Sequence, residues 1–285
     1  MVKDVAVITG GSGGMGFATA KIIGQDKYLI ICDCNQEKLD SSVEELKAQG
    51  IECEGYVFDV SDKDSVDALA KYAAERGKVT SVIHCAGVSP RMGSAEKIIK
   101  INAIGTSNIN NAFYEMAGEG FVIVDVSSMS AYMMPEILFP KVLYKYARTN
   151  KEKFLKNMVG LCNIMPTTFR SGLAYILSKN FVIWCAKKDA AKFGAKGARV
   201  LSVSPGSFDT DMGQLEKDGS GGCVDSAAAI KRFGRPEEIA NLLAFCVSDR
   251  ASYITGVDIL CDGGTVSGLT IKDMLSVGKA YASGN

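Results

Sequence analysis

Tyr175 and Lys179 stand four residues apart in "GLAYILSKN" (172–180). On a helix that spacing makes the two side chains neighbours. A phenol beside an ammonium can exchange a proton with a substrate oxygen, because the cation favours the phenolate. The spacing alone does not establish this: ten tyrosines and 24 lysines among 285 residues supply about one such pair by chance, on an ordinary helix face. The pair needs partners elsewhere in the chain. Ser127-Ser128 and the stretch "SPGSFDTDM" (204–212) offer hydroxyls and a Pro-Gly turn. His84 is the sole histidine, so neither a Ser-His-Asp triad nor a multi-histidine metal site can form. A packed strand-end residue is the plainer reading of it.

These residues fall at the ends of short runs rich in Val and Ile. "DVAVITG" (4–10), "YLIICD" (28–33), "ECEGYVFDV" (52–60), "VTSVIHCAG" (79–87), "FVIVDVSS" (121–128), "ARVLSVSPG" (198–206) and "GVDILCDGG" (256–264) read as strands. Helix-period segments lie between them. Asn35 and Ser61 are the expected N-caps of two helices, and Gly50 and Gly77 lie past their ends. Continuously apolar strands alternating with helices predict an α/β fold, a doubly wound parallel seven-stranded sheet in the order 3-2-1-4-5-6-7. Ligands in such sheets bind beyond the carboxyl ends of the strands.

After the first strand comes "TGGSGGMG" (9–16), where glycines let an anion approach the backbone and the next helix presents its N–H groups. A tight strand–helix turn is the alternative, but the strand-then-helix context favours a pyrophosphate cradle. Asp33 ends the second strand and can accept both hydroxyls of an adenosine ribose while repelling a 2′-phosphate; a helix-capping aspartate is the alternative. The glycine loop has no Arg or Lys, and none is expected to serve a 2′-phosphate just after "CDCN", so NAD is the expected cofactor. Asp59 could bond an adenine amino group or cap a helix, and "HCAG" lets backbone approach the cofactor.

In order, Thr9-Gly10…Gly14-x-Gly16, Asp33, Asp59-Val60, Ala86-Gly87, Asn102, Ser128, Tyr175-x-x-x-Lys179, Pro205-Gly206 with Thr210, and Asp262-Gly263-Gly264 resemble the short-chain dehydrogenase/reductases along nearly the whole chain. The resemblance implies a Rossmann fold and hydride transfer between NAD and a CH–OH group. It implies Tyr175 as general acid/base and Lys179 as its charge partner and ribose ligand. Ser128 would orient the substrate oxygen, with Ser127 as the alternate, and Asn102 would anchor a water leading to Lys179. The cofactor would lie against Gly10, Ser12, Gly13, Gly14, Met15, Gly16, Asp33, Asp59, Val60, Cys85, Ala86, Gly87, Tyr175, Lys179, Pro205, Gly206, Phe208 and Thr210. The chain departs from the family in two places. His84-Cys85 replaces a usual Asn-Asn, and 47 residues separate Ser128 from Tyr175.

The extra segment, 132–172, shows helical periodicity at Phe154, Leu155, Met158 and Leu161, which predicts one or two helices. An insertion of this kind, followed by a Leu-Ala-Tyr-x-x-Ser-Lys-Asn stretch, resembles the bacterial 3α-hydroxysteroid dehydrogenase/carbonyl reductase branch. That implies a steroid or another bulky secondary alcohol or its ketone. Met129, Met133, Met134, Met158 and Met165 could form an adaptable apolar wall, or simply pack the insertion down. Another small carbonyl or sugar substrate, an epimerase using the same hydride step, and a non-catalytic NAD-binding module are the alternatives.

Composition bounds the remaining possibilities. At 47% apolar residues the chain can bury a sizeable core, and no linker divides it, so residues 1–285 read as one domain with 265–285 as a C-terminal extension. Balanced charge without a basic stripe argues against nucleic acid or an anionic membrane as partner. The opening "MVKDVAVITG" reads as a strand and not a leader. Nine scattered cysteines with no Cys-x-x-Cys point to reduced thiols, no metal and a cytoplasmic setting. The family resemblance implies a homo-oligomer. A dimer built through 235–264 is expected, with the insertion covering the other family interface.

Overall fold

The Val/Ile runs form strands because β-branched side chains pack well on a pleated surface. In the computed structural model, which describes residues 3–216 and 228–269, the order is β1 (Val5–Thr9), α1 (Gly14–Ile23), β2 (Tyr28–Asp33), α2 (Gln36–Ala48), β3 (Cys53–Val57), α3 (Lys63–Arg76) and β4 (Val79–His84). There follow α4 (Ala95–Ile98), a π-helical stretch (Ile99–Ile104), α5 (Gly105–Tyr114) and β5 (Val122–Val126). The strands β1 to β5 then continue with β6 (Arg199–Pro205) and β7 (Asp258–Cys261) into one parallel seven-stranded sheet, ordered β3-β2-β1-β4-β5-β6-β7. The doubly wound fold expected from the alternation is therefore present.

Side-chain alternation along each strand divides the core. Val5, Val7, Val82, Ile123 and Val200 pack under α3, α5 and the long helix α9 (Thr167–Gly194). Ala6, Ile8, Ile83, Val124 and Leu201 pack under α1, α2 and α11 (Pro236–Val247). Asn35 caps α2 as expected, accepting from Lys38 N at 2.9 Å. The expected cap of α3 is one residue off. Ser61 Oγ donates to Asp59 Oδ1 at 2.8 Å inside the preceding turn, so Asp62 caps instead, accepting from Asp64 N at 3.0 Å.

The insertion holds three helices, α6 (Lys141–Tyr144), α7 (Tyr146–Thr149) and α8 (Lys151–Asn163), where one or two were expected. Its last residues are already α9, which starts after Pro166 at Thr167. Phe154, Met158 and Cys162 form the buried stripe of α8. With Phe139, Tyr144 and Ala147 they build a third core against Phe181, Trp184 and the α4–π segment. Tyr144 packs edge-on against Phe181 and Trp184 and donates its hydroxyl to Asn180 Oδ1 at 3.2 Å. Among the remaining described elements, α10 (Asp211–Glu216) follows β6, and α12 (Thr265–Gly268) follows β7. Of the expected C-terminal extension, residues 270–285 lie outside the described residues.

Candidate active site

The carboxyl ends of the strands open into a cavity of 660 Å³. Every expected site residue except Asn102 lines it. Its floor is the glycine loop. Gly10 has φ +65, and a Cβ there would lie 2.9 Å from Ala86 N, so no other residue closes this turn against β4. A Cβ on Gly16 would reach 2.3 Å from Gly10 O, which makes the first turn of α1 equally restrictive. No acidic residue lies in that turn to compete with an anion for its N–H groups. The bare backbone cradle and the donor set fit a nicotinamide dinucleotide.

Asp33 stands at the end of β2 with its carboxylate held. Oδ2 accepts from Ser12 Oγ at 2.5 Å, and Oδ1 accepts from Cys34 N at 2.8 Å. Lys38, one turn into α2, also lines the cavity, with Nζ 3.3 Å from Asp211 Oδ2. Lys38 thus puts a cation in the cavity wall from beyond the few residues after Asp33 in which none was expected. The helix turns Lys38 back over the cleft, which its distance along the chain does not reveal. Asp59 Oδ1 is engaged by Ser61, while Val60 joins it in the wall.

At the other end of the cavity α9 brings Tyr175 and Lys179 to the ends of β4 and β5. Lys179 Nζ lies 5.8 Å from the centre of the Tyr175 ring and donates to Val126 O at 3.0 Å. Burial brings this ammonium down to about 8, with Cys85 and Asp125 acting in the opposite sense. The two serines differ. Ser127 Oγ donates to Lys179 O at 2.7 Å and is committed to fastening β5 to α9. Ser128 is the one whose Oγ sits in a turn with Ser130, 3.2 Å between the hydroxyls. Asn102 lies in the π-helical stretch behind Gly87, not in the wall. Its amide clamps Val88, accepting from the N–H and donating to the C=O, each at 2.9 Å. Gly87 separates it from Lys179: a Cβ there would meet Asn102 Oδ1 at 3.2 Å and Lys179 Nζ at 3.3 Å.

His84 is buried as expected. Its Nδ1 is 2.7 Å from Thr9 Oγ1, and burial, then the charge of Lys179, push its pKa down to about 3, so the ring is neutral. The outer wall is apolar and was mostly missed at the sequence level. Met92, Met129, Met133, Met165 and Met212 line it, with Phe169, Leu173, Ile176, Leu215 and Phe233. Phe169, Gly172, Leu173 and Ile176 follow the helical spacing i, i+3, i+4, i+7. That signal was in the sequence, but only for a helix begun before Gly172. Among the described residues no group of His, Cys, Asp and Glu side chains could hold a metal, and no helix is long and apolar enough to cross a membrane.

A dinucleotide cradle beside a Ser-Tyr-Lys constellation on a doubly wound sheet defines a nicotinamide-dependent oxidoreductase. Residues 4–141 match the family model for short chain dehydrogenases, and 161–266 match that described as enoyl-(acyl carrier protein) reductase. The chain is 31% identical to the short-chain dehydrogenase/reductase bsc3 of Alternaria brassicicola, over 95% of its own length and 98% of the relative's. It is 27% identical to 3beta-hydroxysteroid dehydrogenase 2 of Eggerthella lenta, over 93% and 95%. In fold it is similar to a short chain dehydrogenase from Burkholderia cenocepacia in complex with NADP, with TM-score 0.73, 24% identity, and 93% and 98% of the two chains covered. The chain belongs to the short-chain dehydrogenase/reductase family, whose members are oxidoreductases acting on CH–OH groups with a nicotinamide cofactor.

Proposed function

We propose that the protein interconverts a bulky apolar secondary alcohol, of the hydroxysteroid kind, and its ketone, using NAD(H). The observation that carries this reading is the convergence of Ser128, Tyr175 and Lys179 where the dinucleotide cradle meets the methionine-rich half of the cavity. Thioether side chains adapt to the shape of a large apolar ligand. The hydride is supplied or accepted by the bound nicotinamide. Tyr175 gives a proton to the carbonyl oxygen during reduction and removes it during oxidation. A free phenol has a pKa of about 10, and an ammonium beside it, as Lys179 is beside Tyr175, favours the phenolate. Lys179 also holds the nicotinamide ribose. Ser128 donates to the substrate oxygen and aims it at Tyr175. Asn102 braces the strand end that flanks Lys179, and its place in the water path to that lysine stays part of this reading.

NAD is favoured because a carboxylate at the end of the second strand, as Asp33 is, suits the ribose hydroxyls and repels a 2′-phosphate. NADP is the second reading, favoured by Lys38 in the same wall. We further assign residues 1–285 to one dinucleotide-binding domain in which the insertion forms the substrate wall. The dimer is read as forming through 235–264, whose strand β7 is the sheet edge beside the fully exposed Tyr253. The scattered thiols support a cytoplasmic setting. A panel of steroids, bile acids and simple alcohols, assayed with NAD and with NADP by the absorbance of the reduced nicotinamide, tests this. The expected result is the highest kcat/KM for a bulky secondary alcohol with NAD. Turnover restricted to small polar substrates overturns the substrate class.

A further inference from the structure

Beneath the site, the sheet carries a row of polar side chains through its apolar interior. Thr9, His84, Asp125, Ser202 and Asp258 are register partners across β1, β4, β5, β6 and β7, so their side chains share the face covered by α5 and α9. The ends of the row are closed by hydrogen bonds. Thr9 meets His84 as described, and Ser202 Oγ donates to Asp258 Oδ1 at 2.5 Å. The middle is not closed. Asp125 is completely buried and Oδ2 accepts from Asn110 Nδ2 at 2.9 Å, but Asp125 Oδ1, Asn110 Oδ1 and His84 Nε2 have no hydrogen-bond partner among the described residues.

Two acceptor oxygens and a ring nitrogen buried with no protein group paired to them are costly, and protons can relieve them. Thr9 Oγ1 accepts from Ala86 N at 3.2 Å and can give its own hydrogen to His84 Nδ1; in that tautomer Nε2 carries the N–H. A protonated Asp125 would supply a second donor to the same group. The charges around Asp125 come from every side. Lys179, Asp189 and Cys185 face it from α9, Asn110 from α5 and His84 from β4, and Asp189 is itself paired with Arg148 of α7 at 2.8 Å. Lys179 is the nearest functional cation, since its Nζ rests on the carbonyl of Val126, the next residue along the strand. Burial pushes Asp125 up to about 7 and Lys179 down to about 8, so the two groups change protonation in the same range.

We propose that Asp125 is a positioning residue for the reaction: a buried counter-charge behind Lys179, held by Asn110 and set beside its strand neighbour His84, that sets the pH range in which Lys179 and Tyr175 operate. This rests on the reading of Tyr175 and Lys179 given above. A buried anion raises the proton affinity of every group near it, and removing it lowers them all. Asp125→Asn keeps the shape and the acceptor for Asn110 while removing the charge; Asp125→Glu keeps the charge. The kcat/KM–pH profile of D125N should move as a whole by about one unit to lower pH, and that of D125E should stay with the wild type. An unmoved D125N profile, or a D125E profile that moves with it, overturns the proposal. The wild-type protein provides an independent measurement. With ¹³C-labelled aspartate, its infrared spectrum should contain a protonated-carboxyl band at mildly acidic pH that disappears at mildly alkaline pH. A band that is missing from D125N and that persists in the wild type to alkaline pH would mark a carboxyl that never becomes a counter-charge, and this too overturns the proposal. Lys179→Met separates the two ideas: full activity there sinks the reading of the site, whereas an inactive K179M with an unmoved D125N profile sinks only this one.

Discussion

The hydroxyl of Tyr175 is the single atom on which the proposed chemistry turns. Tyr175→Phe should lower kcat by roughly 10²–10⁴-fold while reduced cofactor still binds, as read by its fluorescence. Activity within tenfold of wild type would remove the assignment. Asp33→Ala should raise the kcat/KM for NADP relative to NAD, because a carboxylate leaves the ribose pocket and Lys38 stays; a wild-type preference for NADP would reverse the cofactor reading. Asp125 adds a stability prediction. Its carboxyl titrates near 7 in the folded protein because burial disfavours the anion, against about 3.9 when unfolded. Over that interval the native state holds the extra proton, so the stability it contributes is present at low pH and is lost as pH rises through about 7. Thermal melts should therefore show Asp125→Asn gaining on wild type between pH 5 and pH 8, and a constant difference in Tm would contradict this. Residue identities at the strand ends were legible in the sequence because glycine, aspartate and serine there have few structural uses. Lys38 and Asp125 were not, since one acquires its role by helix rotation and the other by what packs above it.

At the scale of elements, the insertion shows what periodicity does and does not disclose. The stripe of α8 was visible from Phe154 and Met158, but its partners were not, since Phe181 and Trp184 lie beyond Tyr175 and Lys179 in sequence. The beginning of α9 was signalled by Pro166, a residue favoured at helix starts, yet "GLAYILSKN" drew attention to the middle of the helix. The π-helical stretch at Ile99–Ile104 had no cue, because a widened turn follows from packing and not from composition. Phe154 is fully buried, its ring 5.1 Å from that of Phe181. Phe154→Ala should cost about 3–5 kcal/mol of stability and raise the KM for substrate more than that for cofactor. Denaturant unfolding together with steady-state kinetics would check this; equal changes in both KM values would mean that α8 does not serve the substrate wall.

For the whole molecule, alternation of strand and helix was enough to order the sheet, since right-handed crossovers leave few other topologies. Assembly is less determined. The insertion covers α9, and Ile137, Leu138 and Val142 on it stay exposed. A dimer through α11 and β7 should appear in light scattering at twice the chain mass; a stable tetramer with the insertion between subunits would replace that reading. The length of α9 has a further consequence. Its first turns carry Phe169 and Leu173 of the apolar cavity wall and are partly exposed, whereas an unbroken run from Leu177 to Ala186 is buried between the sheet and the insertion. Backbone amides in the buried run should exchange with deuterium only on global unfolding, while those from Thr167 to Leu173 exchange through local opening. One helix would then belong to two kinetic units, with the apolar wall opening locally while the backbone that holds Lys179 stays closed.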